Sequence, residues 1–265
     1  MALPFPTPPS LSPAFSMSQC TAADVDDLAE VYYVSFQMDP RNTFWWPDDK
    51  EAMLVWMKRR IRKKMADRST RHFKVTDVKN GDIVAFSRWD IPEGHGIALG
   101  EYVEEDAATV DVSRIVTEGT GDATRREDLL PMSSAPVDAT TTHTVDIPQG
   151  ARPELCLKFF NELRDMSEKQ KAKAMLGLSL LCTAPNYHRR GAAKAMMLPM
   201  FDLADARGLK VYLEATPDGK PVYEKLGFRE IDQLTFDLKM LTGKSEGIYK
   251  IAIMVREPNP VRLGT

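Results

Sequence analysis

The sequence lacks the features that several large protein classes require. It has only three cysteines, an odd and widely spaced set (Cys20, Cys156 and Cys182), so we predict neither a disulfide framework nor a zinc site. Free thiols are typical of a reducing intracellular compartment, and we expect a cytoplasmic protein. No stretch reads as a membrane span, and no basic region precedes an apolar core near the start, which argues against a signal peptide.

The sequence also lacks a basic excess. Its 35 Lys and Arg against 38 Asp and Glu give a formal charge of −3, which argues against a dedicated nucleic-acid binder. This average hides two unlike regions. Residues 93–150 hold twelve acidic and three basic side chains, a net −9 that leaves +6 for the rest of the chain. Because this stretch is also poor in aromatic residues, we predict an acidic, partly mobile insertion in a mildly basic globular body.

Hydrophobic periodicity predicts one mixed α/β domain over residues 16–257, with a flexible Pro-rich tail over 1–15 and a C-terminal tail over 258–265. The pattern allows a short first strand at 15–20 and then predicts two helices, one capped by Thr21 and one near 47–66. A hairpin follows, turning at Lys79-Asn80-Gly81-Asp82. After the insertion we predict helices at 153–174 and 190–206, a short helix within 217–226, and strands at 175–183, 209–215, 228–238 and 247–256.

The segment between the fourth strand and the following helix carries a phosphate-binding pattern. It reads His188-Arg189-Arg190-Gly191-Ala192-Ala193. A helix N-terminus offers free backbone N–H groups and a partial positive charge. Gly191 and Ala193 allow close approach of a ligand, and the two arginines add charge. The pattern favours a phosphate or pyrophosphate here over a plain turn with solvated arginines.

A second pattern follows one strand later and reads Tyr223-Glu-Lys-Leu-Gly227-Phe228. Taken in this order, the two segments resemble the GCN5-related N-acetyltransferase (GNAT) superfamily. Its acetyl-CoA signature is Gln/Arg-x-x-Gly-x-Gly/Ala, and its later motif is Tyr-x-x-x-Gly-Phe. The resemblance is specific over 176–229 and rests on element order elsewhere. His188 departs from it, standing where Gln or Arg is usual.

The resemblance implies a GNAT-like fold, a twisted, mostly antiparallel sheet splayed between its fourth and fifth strands. It also implies acetyl-CoA as acyl donor, direct attack by an amine, and no metal. The residues that it implies for cofactor binding are Leu181, Cys182, Thr183, His188, Arg189, Arg190, Gly191, Ala192, Ala193 and Thr216. Cys182 is also interpreted as a small core residue, in preference to an acyl-carrying nucleophile.

Two residues are the candidate catalysts. By the resemblance, Tyr223 is the general acid that protonates the departing thiolate. Glu214 shares a strand face with Tyr212 and is the candidate base, directly or through water. The fourth strand lacks the carboxylate that some relatives place there as a base. An ordinary strand carboxylate remains an equal interpretation of Glu214. Where many relatives have an Asn after the fifth strand, this chain has Glu214-Ala215-Thr216.

Several features leave the acceptor open. Residues 44–47, Phe-Trp-Trp-Pro, either shape an apolar acceptor pocket or anchor a loop, and the basic run 58–64 is either a nuclear-localisation patch or a solvated helix end. The acidic insertion either attracts a cationic substrate or is a solvated loop. We expect a small-molecule primary amine as acceptor, without nucleic acid or membrane partners. The alternatives are a protein or peptide N-acetyltransferase and a non-catalytic acyl-CoA sensor.

Overall fold

The computed structural model describes residues 3–93, 145–243 and 247–259, so most of the predicted insertion 93–150 and of the C-terminal tail lies outside the described residues. The strands are β1 (Phe15–Gln19), β2 (Thr70–Asp77), β3 (Ile83–Asp90), β4 (Leu176–Thr183), β5 (Val211–Ala215), β6 (Arg229–Asp237) and β7 (Ile248–Arg256). The helices are α1 (Val25–Phe36), α2 (Lys50–Met65), α3 (Pro153–Lys169), α4 (Ala192–Ala206), α5 (Lys220–Glu224) and α6 (Leu238–Thr242).

The strands form one seven-stranded sheet in the order β1-β2-β3-β4-β5-β7-β6. Neighbouring strands are antiparallel except β4 and β5, which are parallel. A parallel pair needs a long crossover, and α4 supplies it between the two strands. The predicted mixed α/β, mostly antiparallel architecture is confirmed.

The parallel pair separates soon after it begins. Among the described residues, β4 and β5 pair at three positions and no further, the last being Leu178 with Leu213. Beyond this point β4 continues to Thr183 and β5 continues to Ala215 without pairing to each other. The splay that the resemblance implied is therefore present, and it leaves a gap between the C-terminal halves of two central strands.

An extra residue in β4 lies where the separation begins. Arg88 pairs with Leu180 and Trp89 with Leu178, so Ser179 is left out of the ladder as a β-bulge. The bulge reverses which face the strand presents. Leu178 packs in the core on the α4 side, whereas Cys182 packs on the side of α1 and α2. The side chains of β4 are therefore buried on both faces of the sheet, as its continuous apolar sequence predicts.

Two apolar layers cover the sheet. One contains buried residues of α1, α2 and α3, among them Leu28, Trp56 and Phe159. The other is built largely from α4, including Met196 and Met200. Burial of these side chains is the main stabilising contribution, at about 1.5–3 kcal/mol for each large one.

Three helix boundaries differ from the prediction for local reasons. Thr21 precedes a 3₁₀ turn at Ala22–Asp24, and α1 begins only at Val25. The helix predicted over 153–174 ends at Lys169, because Lys171 adopts a left-handed φ of 54°. The helix predicted from 190 begins at Ala192, because Gly191 has a φ of 88°. The Asn80-Gly81 hairpin turn is present, with Gly81 N–H donating to the Asp77 carbonyl.

Candidate active site

The turn between β4 and α4 leaves its backbone amides available. Gly191 precedes the helix in a left-handed conformation, and no side chain caps α4. The first N–H groups of a helix have no partner within the helix. Arg189 also has a positive φ, 62°, and the exposed Arg190 guanidinium lies 4.9 Å from the centre of the Tyr187 ring. Free amides beside two exposed arginines fit a pyrophosphate group.

His188 contacts the chain itself in this structure. Its Nε2 lies 2.8 Å from the Thr183 carbonyl oxygen, and since a carbonyl only accepts, the imidazole N–H donates. The contact closes the loop from the end of β4 to the turn. The Thr183 carbonyl, which the resemblance assigns to the pantetheine arm, thus already has one hydrogen bond.

The N-terminal segment lies beside the same turn. A Cβ added at Gly191 would come within 3.5 Å of the Ser10 carbonyl oxygen. Further along, the Phe5 ring packs 5.2 Å from the ring of Phe73, which is fully buried in β2. A Cβ at Gly191 would thus make an ordinary van der Waals contact with the N-terminal segment, and it is the left-handed φ of 88° that favours glycine there.

Tyr223 lies near enough to Cys182 of β4 for the two side chains to interact electrostatically. It is on α5, and its half-buried ring packs edge-on against Phe228 at 5.8 Å. Burial raises the pKa of its hydroxyl, and the nearby Cys182 adds to this. Among the described residues the hydroxyl has no hydrogen-bond partner. A protonated phenol with a free O–H fits the role of proton donor.

Cys182 is a core residue. Its side chain is 1% exposed, and burial raises its pKa well above the usual range. A thiol that stays protonated is a poor nucleophile, which supports the structural interpretation.

Glu214 is a carboxylate in a largely dry environment. Burial raises its pKa to about 7, and the charge of Asp90 acts in the same direction. Its Oε1 accepts a hydrogen bond of 3.0 Å from the Tyr212 hydroxyl, which opposes the rise. A base with a pKa near neutrality combines sufficient basicity with partial ionisation at pH 7.

Two cavities of about 330 Å³ each meet at this carboxylate. Both are lined by Glu214, Ser167 and Ser179. The first cavity extends toward Lys64 and Asp90. The second, which we call the aromatic cavity, also contains Thr216, and its rings come from Tyr32, Phe36, Trp45, Trp46, Phe159 and Phe160. A cavity of this size suits a small molecule.

Trp45 and Trp46 of the segment 44–47 both line a cavity and pack into the core. Both line the aromatic cavity, and Trp45 is also 4% exposed and stacked on Phe159 at 5.2 Å. The basic run 58–64 occupies the last turns of α2, where Ile61 is buried and Arg60 turns toward the aromatic cavity. The run is thus not uniformly solvated.

Sequence reasoning missed Arg88 and Ser179. The Arg88 Nε donates to the Ser179 hydroxyl at 2.8 Å, which holds the β4 bulge against β3. A bulge does not change the hydrophobic pattern of a continuous apolar strand, so the sequence does not reveal its position. Arg60 had a weak signal, a cation four residues after Trp56 on the same helix face.

Within the described part of the chain, no helix combines the length and apolar character needed to cross a membrane. Within the same residues, no group of three or more His, Cys, Asp or Glu side chains is arranged to hold a metal ion.

Comparison with known proteins supports the assignment of the fold. Residues 165–238 match the model of an acetyltransferase (GNAT) domain. The structure is similar to arylalkylamine N-acetyltransferase 2 from Aedes aegypti, with a TM-score of 0.55 and 15% identity over 92% of this chain and 99% of that one. It is also similar to a Corynebacterium glutamicum structure described as histone acetyltransferase HPA2 and related acetyltransferase, with a TM-score of 0.50 and 17% identity over 93% and 97%. A search of curated protein sequences found no significant match.

The splayed sheet and the uncapped turn before α4 belong to one fold. The chain has the GNAT fold, and residues 165–238 match the model of a GNAT acetyltransferase domain. These findings agree with the superfamily resemblance drawn from the two motifs and with the prediction of an acyltransferase.

Proposed function

We propose that the protein transfers an acetyl group from acetyl-CoA to a primary amine of a small molecule. The observation that carries the proposal is the aromatic cavity, which meets Glu214 beside the point where β4 and β5 separate. A cavity lined by rings on several sides fits a small acceptor better than an extended peptide.

The donor side is proposed from the turn before α4. The amides and side chains of residues 188–193 would bind the pyrophosphate, with Arg189 and Arg190 supplying charge. Leu181, Cys182 and Thr183 would border the pantetheine arm through their backbone, and Thr216 would face it from the end of β5. His188 would act indirectly, by holding the Thr183 carbonyl and with it the shape of the turn.

The chemistry proposed for the site is a direct acyl transfer. The uncharged amine nitrogen attacks the thioester carbonyl carbon, so a C–N bond forms and the C–S bond breaks. The amine loses its proton to Glu214, and the departing thiolate takes a proton from Tyr223. Proton exchange with solvent then restores both residues. Positioning of the two substrates supplies much of the rate enhancement.

The proposal is tested by following thiol release from acetyl-CoA with a panel of small amines and, separately, with basic peptides. Turnover with at least one small amine and none with peptides is expected. Turnover with peptides alone would instead show a protein or peptide N-acetyltransferase. Confirmed acetyl-CoA binding without turnover on any acceptor would contradict catalysis and favour a sensor.

A further inference from the structure

The aromatic cavity holds two arginines that lack a carboxylate partner. Arg60 comes from α2 and Arg88 from β3. Within the described ranges, no Asp or Glu lies within 4.0 Å of either guanidinium. A third arginine at the cavity, Arg164, is already paired with Asp165 at 3.0 Å.

Both unpaired guanidinium groups are held in place by neutral contacts. Arg60 lies 4.7 Å from the Trp56 ring centre and 5.0 Å from that of Phe160. Arg88 is fixed by its hydrogen bond to the Ser179 hydroxyl. Stacking and hydrogen bonding orient these cations without neutralising them, so each retains N–H groups for a further partner.

The two charges make the cavity electropositive. Burial lowers the pKa of Arg60, and the like charge of Arg88 lowers it further, while Tyr32 and Asp146 oppose this. Glu214 lines the same cavity, and the charge of Arg88 lowers the pKa of its carboxyl, but one carboxylate cannot balance two cations. Removing like charges from water without a counter-ion is unfavourable, so the cavity fits a ligand that brings negative charge.

The rings define the rest of the ligand. Aromatic side chains that surround a small cavity favour a flat, apolar group through stacking and edge contacts. The unpaired guanidinium groups match a carboxylate, which they bind through paired hydrogen bonds. The carboxyl of Glu214 at the same wall marks where an amine would lose its proton.

We propose that the acceptor is an amine that carries both an aromatic ring and a carboxylate, as an aromatic amino acid does. Arg60 and Arg88 bind the carboxylate, the cavity rings hold the aromatic group, and the amine lies toward Glu214. This inference rests on the proposed acetyl transfer and names its substrate class. It disfavours polyamines and other polycations, since the cavity repels them.

The first experiment compares two acceptors that differ only in the carboxylate, tryptophan and tryptamine. The wild-type protein is expected to prefer tryptophan in kcat/KM by about 10- to 100-fold, the usual value of charge-assisted hydrogen bonds. Arg60→Gln and Arg88→Gln are each expected to remove most of this preference. Arg62→Gln is the matched control, because Arg62 lies on the same helix but outside the aromatic cavity.

One further variant and two measurements of folding guard against a structural artefact. Arg60→Lys keeps the charge and is expected to restore part of the preference for tryptophan. Circular dichroism and thermal unfolding show whether each variant is folded. A wild-type preference for tryptamine, or a preference for tryptophan that persists in folded Arg60→Gln and Arg88→Gln, would overturn the proposal.

A second experiment does not depend on turnover. Calorimetry with the full-length protein compares indole-3-acetate, which has a carboxylate and no amine, with the uncharged indole-3-ethanol. The anion site is supported if indole-3-acetate binds and indole-3-ethanol does not, and if Arg60→Gln weakens the binding of indole-3-acetate at least tenfold. This result holds even if no amine is acetylated. In that case acetyl transfer fails and the anion site stands. Equal binding of both compounds contradicts the anion site.

Discussion

Burial raises the pKa of both Glu214 and Tyr223, and it suits them to different proposed roles because a carboxyl and a phenol start from different pKa values. Glu214 is on β5, where burial and Asp90 keep its pKa near neutrality. Tyr223 is on the short helix that follows, where burial keeps its phenol protonated. One group is therefore suited to accept a proton at neutral pH and the other to donate one.

Replacement of the phenol tests the proton donor. Tyr223→Phe is expected to lower kcat by about 100-fold or more, the usual contribution of a general acid. Acetyl-CoA affinity is expected to change little, because the ring and its packing on Phe228 are kept. Steady-state kinetics and calorimetry with CoA measure the two quantities. Unchanged turnover would remove Tyr223 from the mechanism.

Replacement of the carboxylate tests the base. We compare kcat/KM of the wild-type protein with that of Glu214→Gln, using the same amine for both. Because the amine ionises equally in both assays, its ionisation drops out of the ratio of the two values. Below the Glu214 pKa of about 7 this ratio is expected to rise with pH, and above it to level off. The amide oxygen of glutamine can still accept the hydrogen bond from Tyr212, so the substitution keeps the local geometry. A ratio that does not vary between pH 5 and 9 would show that Glu214 is an ordinary strand residue.

At the scale of the elements, β4 and α4 carry the site. The bulge at Ser179 turns the strand where it leaves β5, and Arg88 holds that bulge. The other end of α4 is fixed by a buried ion pair. Asp205, 1% exposed, accepts hydrogen bonds of 2.7 and 2.8 Å from the two terminal nitrogens of Arg256 on β7. The helix whose N-terminus faces the proposed pyrophosphate site is thus anchored at its C-terminus.

Removal of the buried carboxylate tests this anchor. Asp205→Ala is expected to lower the free energy of unfolding by about 3–5 kcal/mol, because Arg256 then remains buried without its partner. Urea denaturation measures the change. Lys210→Ala, which breaks the exposed pair with Glu257, is the control and is expected to cost less than about 1 kcal/mol. Equal effects of the two substitutions would contradict the proposed anchoring role.

At the scale of the whole molecule, two buried groups give stability opposite dependences on pH. Glu214 has a pKa of about 7 in place of 4.5, so between these values the folded state binds the extra proton and stability falls as pH rises. His72 has a pKa of about 3 in place of 6.5, chiefly through burial, so stability rises with pH over that range. From about pH 4.5 to 6.5 the two contributions largely cancel.

Single replacements are expected to expose each contribution. In Glu214→Gln the free energy of unfolding is expected to rise with pH over this window, by up to about 1.4 kcal/mol per unit. In His72→Gln it is expected to fall with pH at a similar rate. Denaturant unfolding at several pH values measures these slopes, and the exposed Glu224→Gln serves as control. Parallel profiles for all four proteins would contradict the assignment.

Local patterns were sufficient for the fold class and for the proposed donor side. Alternating and helical periodicity located the strands and helices, because those periods are properties of the backbone itself. The turn at 188–193 and the Tyr223–Phe228 motif could be recognised in the sequence because each is a run of neighbouring residues. Helix ends were less certain, since single left-handed residues such as Lys171 stop a helix without a distinctive side chain.

The sequence by itself therefore determined the fold class, the order of the elements and the residues proposed to hold acetyl-CoA. Only the tertiary structure decided what surrounds Glu214. The bulge at Ser179, the cations Arg60 and Arg88, and the rings of the aromatic cavity come from separate elements of the chain. No local pattern records that they meet, because desolvation and charge at a site depend on distances through space. The proposed acceptor therefore depends on the tertiary structure.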